Sequence, residues 1–211
     1  KVEDVTTSSI EAYNYFLRGK EDLDKIYYDS ARQFLEKAVE LDPTFAMAYL
    51  YLARTHYSLR NRKAQNEAVE KAKSFSEKVT DKERLYIEAS YAGTIERNPE
   101  RYLAILQRIA ERYPKEKQAH FLLGDYYYSR DLDKARAEYN KVLELDPDYG
   151  PALNQIAYIY GEMKNYEKAI EYFKKYASVS PGDANPIDSM AETYFWMGRL
   201  DESIAKYKEA L

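Results

Sequence analysis

Residues 150–183, GPALNQIAYIYGEMKNYEKAIEYFKKYASVSPGD, hold the pattern on which the reading of this chain turns. Leu153, Ile156, Ala157 and Tyr160 recur at three- and four-residue spacing, which lines one face of a helix. Lys164-Asn165-Tyr166 interrupts that pattern. Asn165 is suited to cap a second helix, because its side-chain oxygen can accept from unpaired first-turn N–H groups. Ala169, Phe173, Tyr176 and Ala177 mark a second apolar face, which Pro181-Gly182 ends. Ala169 is small where the helices must approach, and Phe173 fills the space one turn later. The stretch predicts a helix hairpin.

The hairpin recurs. Pro147 to Pro181 spans 34 residues, Pro114 to Pro147 spans 33, and Pro43 to Pro114 spans 71, two periods plus a three-residue insertion. A fixed period in this range is the signature of a helical repeat array. His120, Leu123, Gly124 and Tyr127, then Ala135, Tyr139 and Pro147, follow the pattern W-x2-L-G-x2-Y, A-x3-F, P with one residue missing from the turn. Ile187, Met190, Ala191 and Tyr194, then Ser203 and Tyr207, follow it again. On these residues the chain resembles the tetratricopeptide repeat family. The resemblance implies an all-α fold, a right-handed superhelical solenoid of about six hairpins forming a single array over residues 1–211. The expected repeats are 12–45, 46–82, 83–116, 117–149, 150–183 and 184–211, with a lead-in over 1–11.

Local signals refine the boundaries. Ser8 with Glu11, and Thr80 with Glu83, have capping-box spacing, and Asn98-Pro99 reads as a cap followed by proline at the first helical position. The three-residue insertion predicts an overlong second helix running through Lys71-Ala72-Lys73. The segments Val5–Gly19 and Asp81–Ala89 resemble the entry into tetratricopeptide regions of multidomain bacterial signalling proteins, which implies a regulatory or sensor region of a larger protein.

Composition bounds function. Tyrosine is abundant, at 23 residues of 211, and suits bulky slots between helices where a ring is buried and its hydroxyl reaches a wet edge. Net charge is −4 with both signs interspersed, so there is no basic footprint for nucleic acid. There is no cysteine, which excludes disulfides and thiol chemistry. No run of about 18 apolar residues exists, so membrane insertion is not expected and a cytoplasmic location is favoured. The chain starts at Lys1, and its last helix, Leu200–Leu211, offers Ile204, Tyr207 and Leu211 with nothing following to cover them. That pattern reads as an excised piece of a longer protein or as a surface for self-association.

Nothing assembles a catalytic site. His56 and His120 fall where the repeat wants a bulky packing residue, and no second histidine accompanies either at metal-ligand spacing. Gly19 and Gly124 occupy the repeat's own glycine position, where the two helices of a hairpin touch. The chain is expected to be non-catalytic, with no cofactor and no metal.

The family resemblance implies a concave groove lined by the first helix of each hairpin. The expected groove residues are Leu50, Arg54 and Tyr57; Ile87 and Tyr91; Phe121, Asp125 and Tyr128; Asn154 and Tyr158; and Asp188, Glu192 and Phe195. Aromatic rings on such a face suit a peptide or helical segment of a partner protein. The alternative is that the rings pack against neighbouring first helices. Lys20, Arg54 and Arg84 fall in the first half of the chain, Asp125, Asp188 and Glu192 in the second, a polarity that would orient a bound segment.

Overall fold

The structure, a computed structural model, describes residues 7–211. The part of the expected lead-in before Thr7, including the start of the Val5–Gly19 segment, lies outside the described residues. The described residues form twelve α-helices: α1 Ile10–Asp24, α2 Tyr28–Leu41, α3 Ala46–Ser58, α4 Arg62–Ser74, α5 Asp81–Thr94, α6 Pro99–Arg112, α7 Lys117–Tyr128, α8 Leu132–Leu145, α9 Gly150–Glu162, α10 Tyr166–Val179, α11 Ala184–Trp196 and α12 Leu200–Ala210. Consecutive odd and even helices pair as hairpins, giving an all-α helical repeat. The chain divides after Arg112 into two compact units of three hairpins each.

Each hairpin closes where two helices approach at a small residue. A Cβ on Gly19 would stand 2.6 Å from Leu35 of α2, and one on Gly124 would run into the Tyr139 ring of α8. Opposite them, Ala31, Ala135 and Ala169 are fully buried on the second helices. The last hairpin has serine at that place, and Ser203 donates its hydroxyl to the Ala191 carbonyl of the facing helix at 2.8 Å. The next inward position is filled by Leu35, Val69 and Leu106 in the first unit, and by Tyr139 and Phe173 in the second, all of them buried.

The turns within hairpins share one device. Ile26, Arg60, Arg97, Lys164 and Gly198 all have positive φ, between 52° and 74°, in the position just before the residue that caps the second helix. The following N–H reaches back to a first-helix carbonyl, as in Asn61 to His56 at 2.9 Å, Asn165 to Tyr160 at 2.8 Å and Arg199 to Tyr194 at 2.9 Å. The 33-residue hairpin lacks this residue, and there Asp131 N–H bonds the Tyr127 carbonyl at 2.7 Å instead. Two of the turns between hairpins use Asp-Pro pairs, with Phe45 N–H on the Asp42 carbonyl and Tyr149 N–H on that of Asp146, and Ser180-Pro181 makes the same bond from Asp183 N–H to the Ser180 carbonyl. Proline at the second turn position pre-sets its φ.

The caps follow the sequence with two corrections. Thr80 and Glu83 form the full capping box, and Asn98 and Asn165 accept from Arg101 and Lys168 N–H groups. The first helix is capped one residue later than expected, by Ser9 rather than Ser8, with the Ala12 N–H donating to its hydroxyl at 3.1 Å. Ser8 with Glu11 is therefore not the box. The second helix does run through Lys71-Ala72-Lys73 but is not overlong: α4 ends at Ser74, and a 3-10 turn, Ser76–Lys78, takes up the extra residues. Ser76 is buried and donates to the Lys73 carbonyl, so the insertion folds onto the end of α4 instead of extending it.

Candidate partner-binding surface

In the first unit the expected face is carried by α1, α3 and α5. Leu50 is 5% exposed and Ile87 is fully buried, so both belong to the core and are corrected as groove residues. The reason is packing between neighbouring first helices: Phe16 of α1 stands edge-on to Tyr51 of α3, with centroids 5.2 Å apart. Arg54 lies over the Tyr51 ring at 5.0 Å, and Lys20 over the same ring at 5.7 Å. Tyr91 is partly buried against the same core, and Tyr57 is open to solvent at 71% exposure. His56 is buried with no hydrogen-bond partner for Nδ1, as a packing residue would be. Burial pushes its pKa down, with the Glu36 carboxylate opposing and Arg32 adding to the shift.

In the second unit the face is carried by α7, α9 and α11. Phe121 is buried, with its ring between Tyr139 and Tyr149, and is likewise corrected from groove to core. Asp125 is exposed but accepts a hydrogen bond from the buried Tyr139 hydroxyl at 2.7 Å, so it also serves the hairpin interior. Tyr128 and Tyr158 are partly buried, and the Tyr158 hydroxyl pairs with that of Ser189 on α11 at 2.8 Å. Tyr128 is pushed up to about 12 by burial, with Glu162 and Tyr158 adding to the shift. Asn154 is buried with its Oδ1 unpartnered. Asp188 and Phe195 are exposed and Glu192 is partly so. His120 fills its slot against α8 and pairs through Nδ1 with Glu138 at 2.7 Å.

The expected stripe thus separates by depth. Its first position turns inward at Leu50, Ile87, Phe121 and Asn154, so Asn154 too is corrected from groove to core, whereas Asp188 stays exposed. The later positions, Arg54 and Tyr57, Tyr91, Asp125 and Tyr128, Tyr158, and Glu192 and Phe195, reach the surface wholly or in part. Sequence reasoning missed Glu162 and Trp196, which follow Gly161 and Phe195 directly; Trp196 is 50% exposed. One further residue along each first helix would have found them.

Paired helices of this period, with small residues at each crossing, define a helical-repeat scaffold. Residues 12–45, 150–183 and 118–149 match models described as tetratricopeptide repeat. These three hairpins are tetratricopeptide repeats. Among solved structures it is similar to PilW, a type IV pilus biogenesis factor, at 18% identity, with 96% of this chain and 93% of that one covered and a TM-score of 0.59. A thermophilic tetratricopeptide protein of Thermus thermophilus is similar at 20% identity, with 95% and 90% covered and a TM-score of 0.53. The hetero-tetramer Cut9–Hcn1 of the APC/C gives 18% identity, 95% and 40% coverage and a TM-score of 0.60. These likenesses show the fold. A general transcriptional corepressor, trfA of Dictyostelium discoideum, is 31% identical over 90 residues, which is 42% of this chain and 6% of that protein's length. The fold is that of a scaffold for protein–protein association. No described helix is long and apolar enough to cross a membrane.

Proposed function

We propose that this chain binds a segment of a partner protein on the face of its first helices and performs no chemistry itself. The observation that carries the reading is the set of tyrosines left wholly or partly open on that face, Tyr57 and Tyr91 in the first unit and Tyr128 and Tyr158 in the second. Rings held by packing offer contact area with little rotamer entropy left to lose. The core residues beneath them fix their positions without occupying the surface. The face of the first unit carries Lys20, Arg54 and Arg84 and that of the second carries Asp125, Asp188 and Glu192, and this difference in charge is part of the proposal. The test is a pull-down with wild type and with Tyr57→Ala, Tyr91→Ala and Tyr128→Ala variants whose melting temperatures match wild type. Loss of one specific partner across the set supports the face, and unchanged capture by all three overturns it.

A second reading rests on a different observation. Leu200, Ile204 and Tyr207 of α12 are exposed on a helix packed against α11. Self-association through this stripe would cover them. Mass in solution measured against concentration separates the two, because an Ile204→Lys variant dissociates a dimer of this kind and leaves partner capture intact.

A further inference from the structure

Gly161 has neither of the usual reasons for a glycine. A Cβ there would meet nothing within 4 Å, unlike one at Gly19, Gly124 or Gly150, and its φ is not in the left-handed region. Glycine costs a helix roughly 0.5–1 kcal/mol relative to alanine, and here no packing offsets it. The gap lies on the partner-facing stripe of α9, seven residues after Asn154 and three after Tyr158. Glu162 follows it, one turn on from Tyr158, whose hydroxyl meets Ser189 of α11 at 2.8 Å, and Tyr128 of α7 packs on the core cluster that includes Ile156 and Ile159 of α9.

The charges on α9 and α11 themselves are all acidic, with Lys164 in the turn beyond Glu162. Helices α9 and α11 contain no lysine or arginine, and on α7 Lys117 is engaged by Asp146. Among the described residues Glu162, Asp188 and Glu192 form no ion pair. Asn154, two turns back on α9, is 6% exposed and faces the core instead. What fits this set is a donor with positive charge and a flat or extended stem, lying against tyrosine rings.

We propose that the surface around Gly161 seats an arginine or lysine side chain from a basic segment of a partner protein. Glu162 supplies the counter-charge, and Tyr128 and Tyr158 the ring faces. Glu192 and Asp188 continue the negative face for the flanking basic residues. The proposal rests on the binding face proposed above and names its ligand chemistry in the second unit.

The test uses the whole chain and three fluorescein-labelled peptides of identical apolar content, whose remaining positions are all arginine, all serine or all glutamate, read by anisotropy. The arginine peptide is expected to bind, weakening as salt rises, and the glutamate peptide is not. Glu162→Gln should weaken the arginine peptide severalfold. Gly161→Leu should weaken it about tenfold or more, the size of one cation–ring contact, with the melting temperature unchanged or higher. Arginine binding indifferent to both substitutions overturns the proposal. Equal binding of all three peptides, lost in Tyr158→Ala, also overturns it but leaves the binding face standing. Failure of every peptide to bind removes the charge assignment and the face of the second unit together.

Discussion

The two units solve one packing problem with different chemistry. At the slot facing the helix crossing, the first unit places Leu35, Val69 and Leu106, and the second places Tyr139 and Phe173, with Tyr176 one turn further on. Aliphatic side chains ask nothing further of their surroundings. A buried tyrosine must find an acceptor, and the second unit supplies Asp125 for Tyr139 and Asp183 for Tyr176, each at 2.7 Å. Asp183 also caps α11, so one carboxylate closes a hairpin interior and starts the next helix. The repeat thus fixes size and period at this slot, and polarity is free to change if the partner residue changes with it.

The largest expected effects come from emptying these slots. Phe173→Ala and Leu35→Ala should each cost about 3–5 kcal/mol, measured by urea denaturation. If the units are as separable as their internal packing suggests, Leu35→Ala lowers amide protection in the first unit and leaves Phe173's surroundings protected, which hydrogen exchange would show. Loss of protection across both units at once breaks the comparison.

The large alkaline shifts lie in the second unit and the buried histidine in the first, although Tyr49 is also raised by burial in the first unit. Burial and the Asp125 carboxylate push the Tyr139 pKa far up from 10.0, and Tyr128 follows it upward. Above pH 10 the unfolded chain loses these protons while the folded chain keeps them, so the second unit loses stability as pH rises. His56 in the first unit is shifted down from 6.5. Below that pH the unfolded chain binds a proton that the folded chain refuses, so the first unit loses stability as pH falls. Tyr139→Phe should flatten the alkaline limb and cost about 1 kcal/mol at neutral pH for the lost hydrogen bond. His56→Phe should flatten the acid limb alone. Both limbs surviving both substitutions would remove this distinction.

Smaller effects sharpen it. Thr80→Ala removes the hydroxyl half of the capping box at α5, leaving the backbone N–H on Glu83, and should cost about 1 kcal/mol, confined to the first unit. Gly161→Ala should stabilise the second unit by roughly 0.5–1 kcal/mol, the opposite sign to a substitution at the crowded Gly124. A loss of stability at Gly161 would mean that the open space beside it is needed by the fold itself.

Most of the architecture could be read from residue spacing, because each hairpin repeats the same crossing and the same turn residues. Ala169 and Phe173, Thr80 with Glu83, and Asn165 all stand in the roles their spacing implied. The face was only half legible. Leu50, Ile87 and Phe121 share a stripe with Tyr57, Tyr91 and Tyr128, and period alone gives direction around a helix without telling how far a neighbouring helix covers it. Nor did the spacing reveal that Asp125 is tied to Tyr139, fourteen residues on, since that bond depends on the crossing of α7 and α8. The insertion was misplaced for a similar reason: extra residues in a periodic stretch suit a longer helix or a 3-10 turn equally, and only Val79 and Ser76 docking inward decides.

The shortened turn of the fourth hairpin has a practical consequence. Asp131 still caps α8 there, accepting from the Lys134 N–H at 3.0 Å, although the left-handed residue present in the other five turns is gone. Chain length at this corner is therefore uncoupled from the alignment of the helices on either side. Ser129-Arg130 is accordingly a place where a residue could be inserted without unpacking the two helices, and a probe there, next to Tyr128, would report on the proposed binding face.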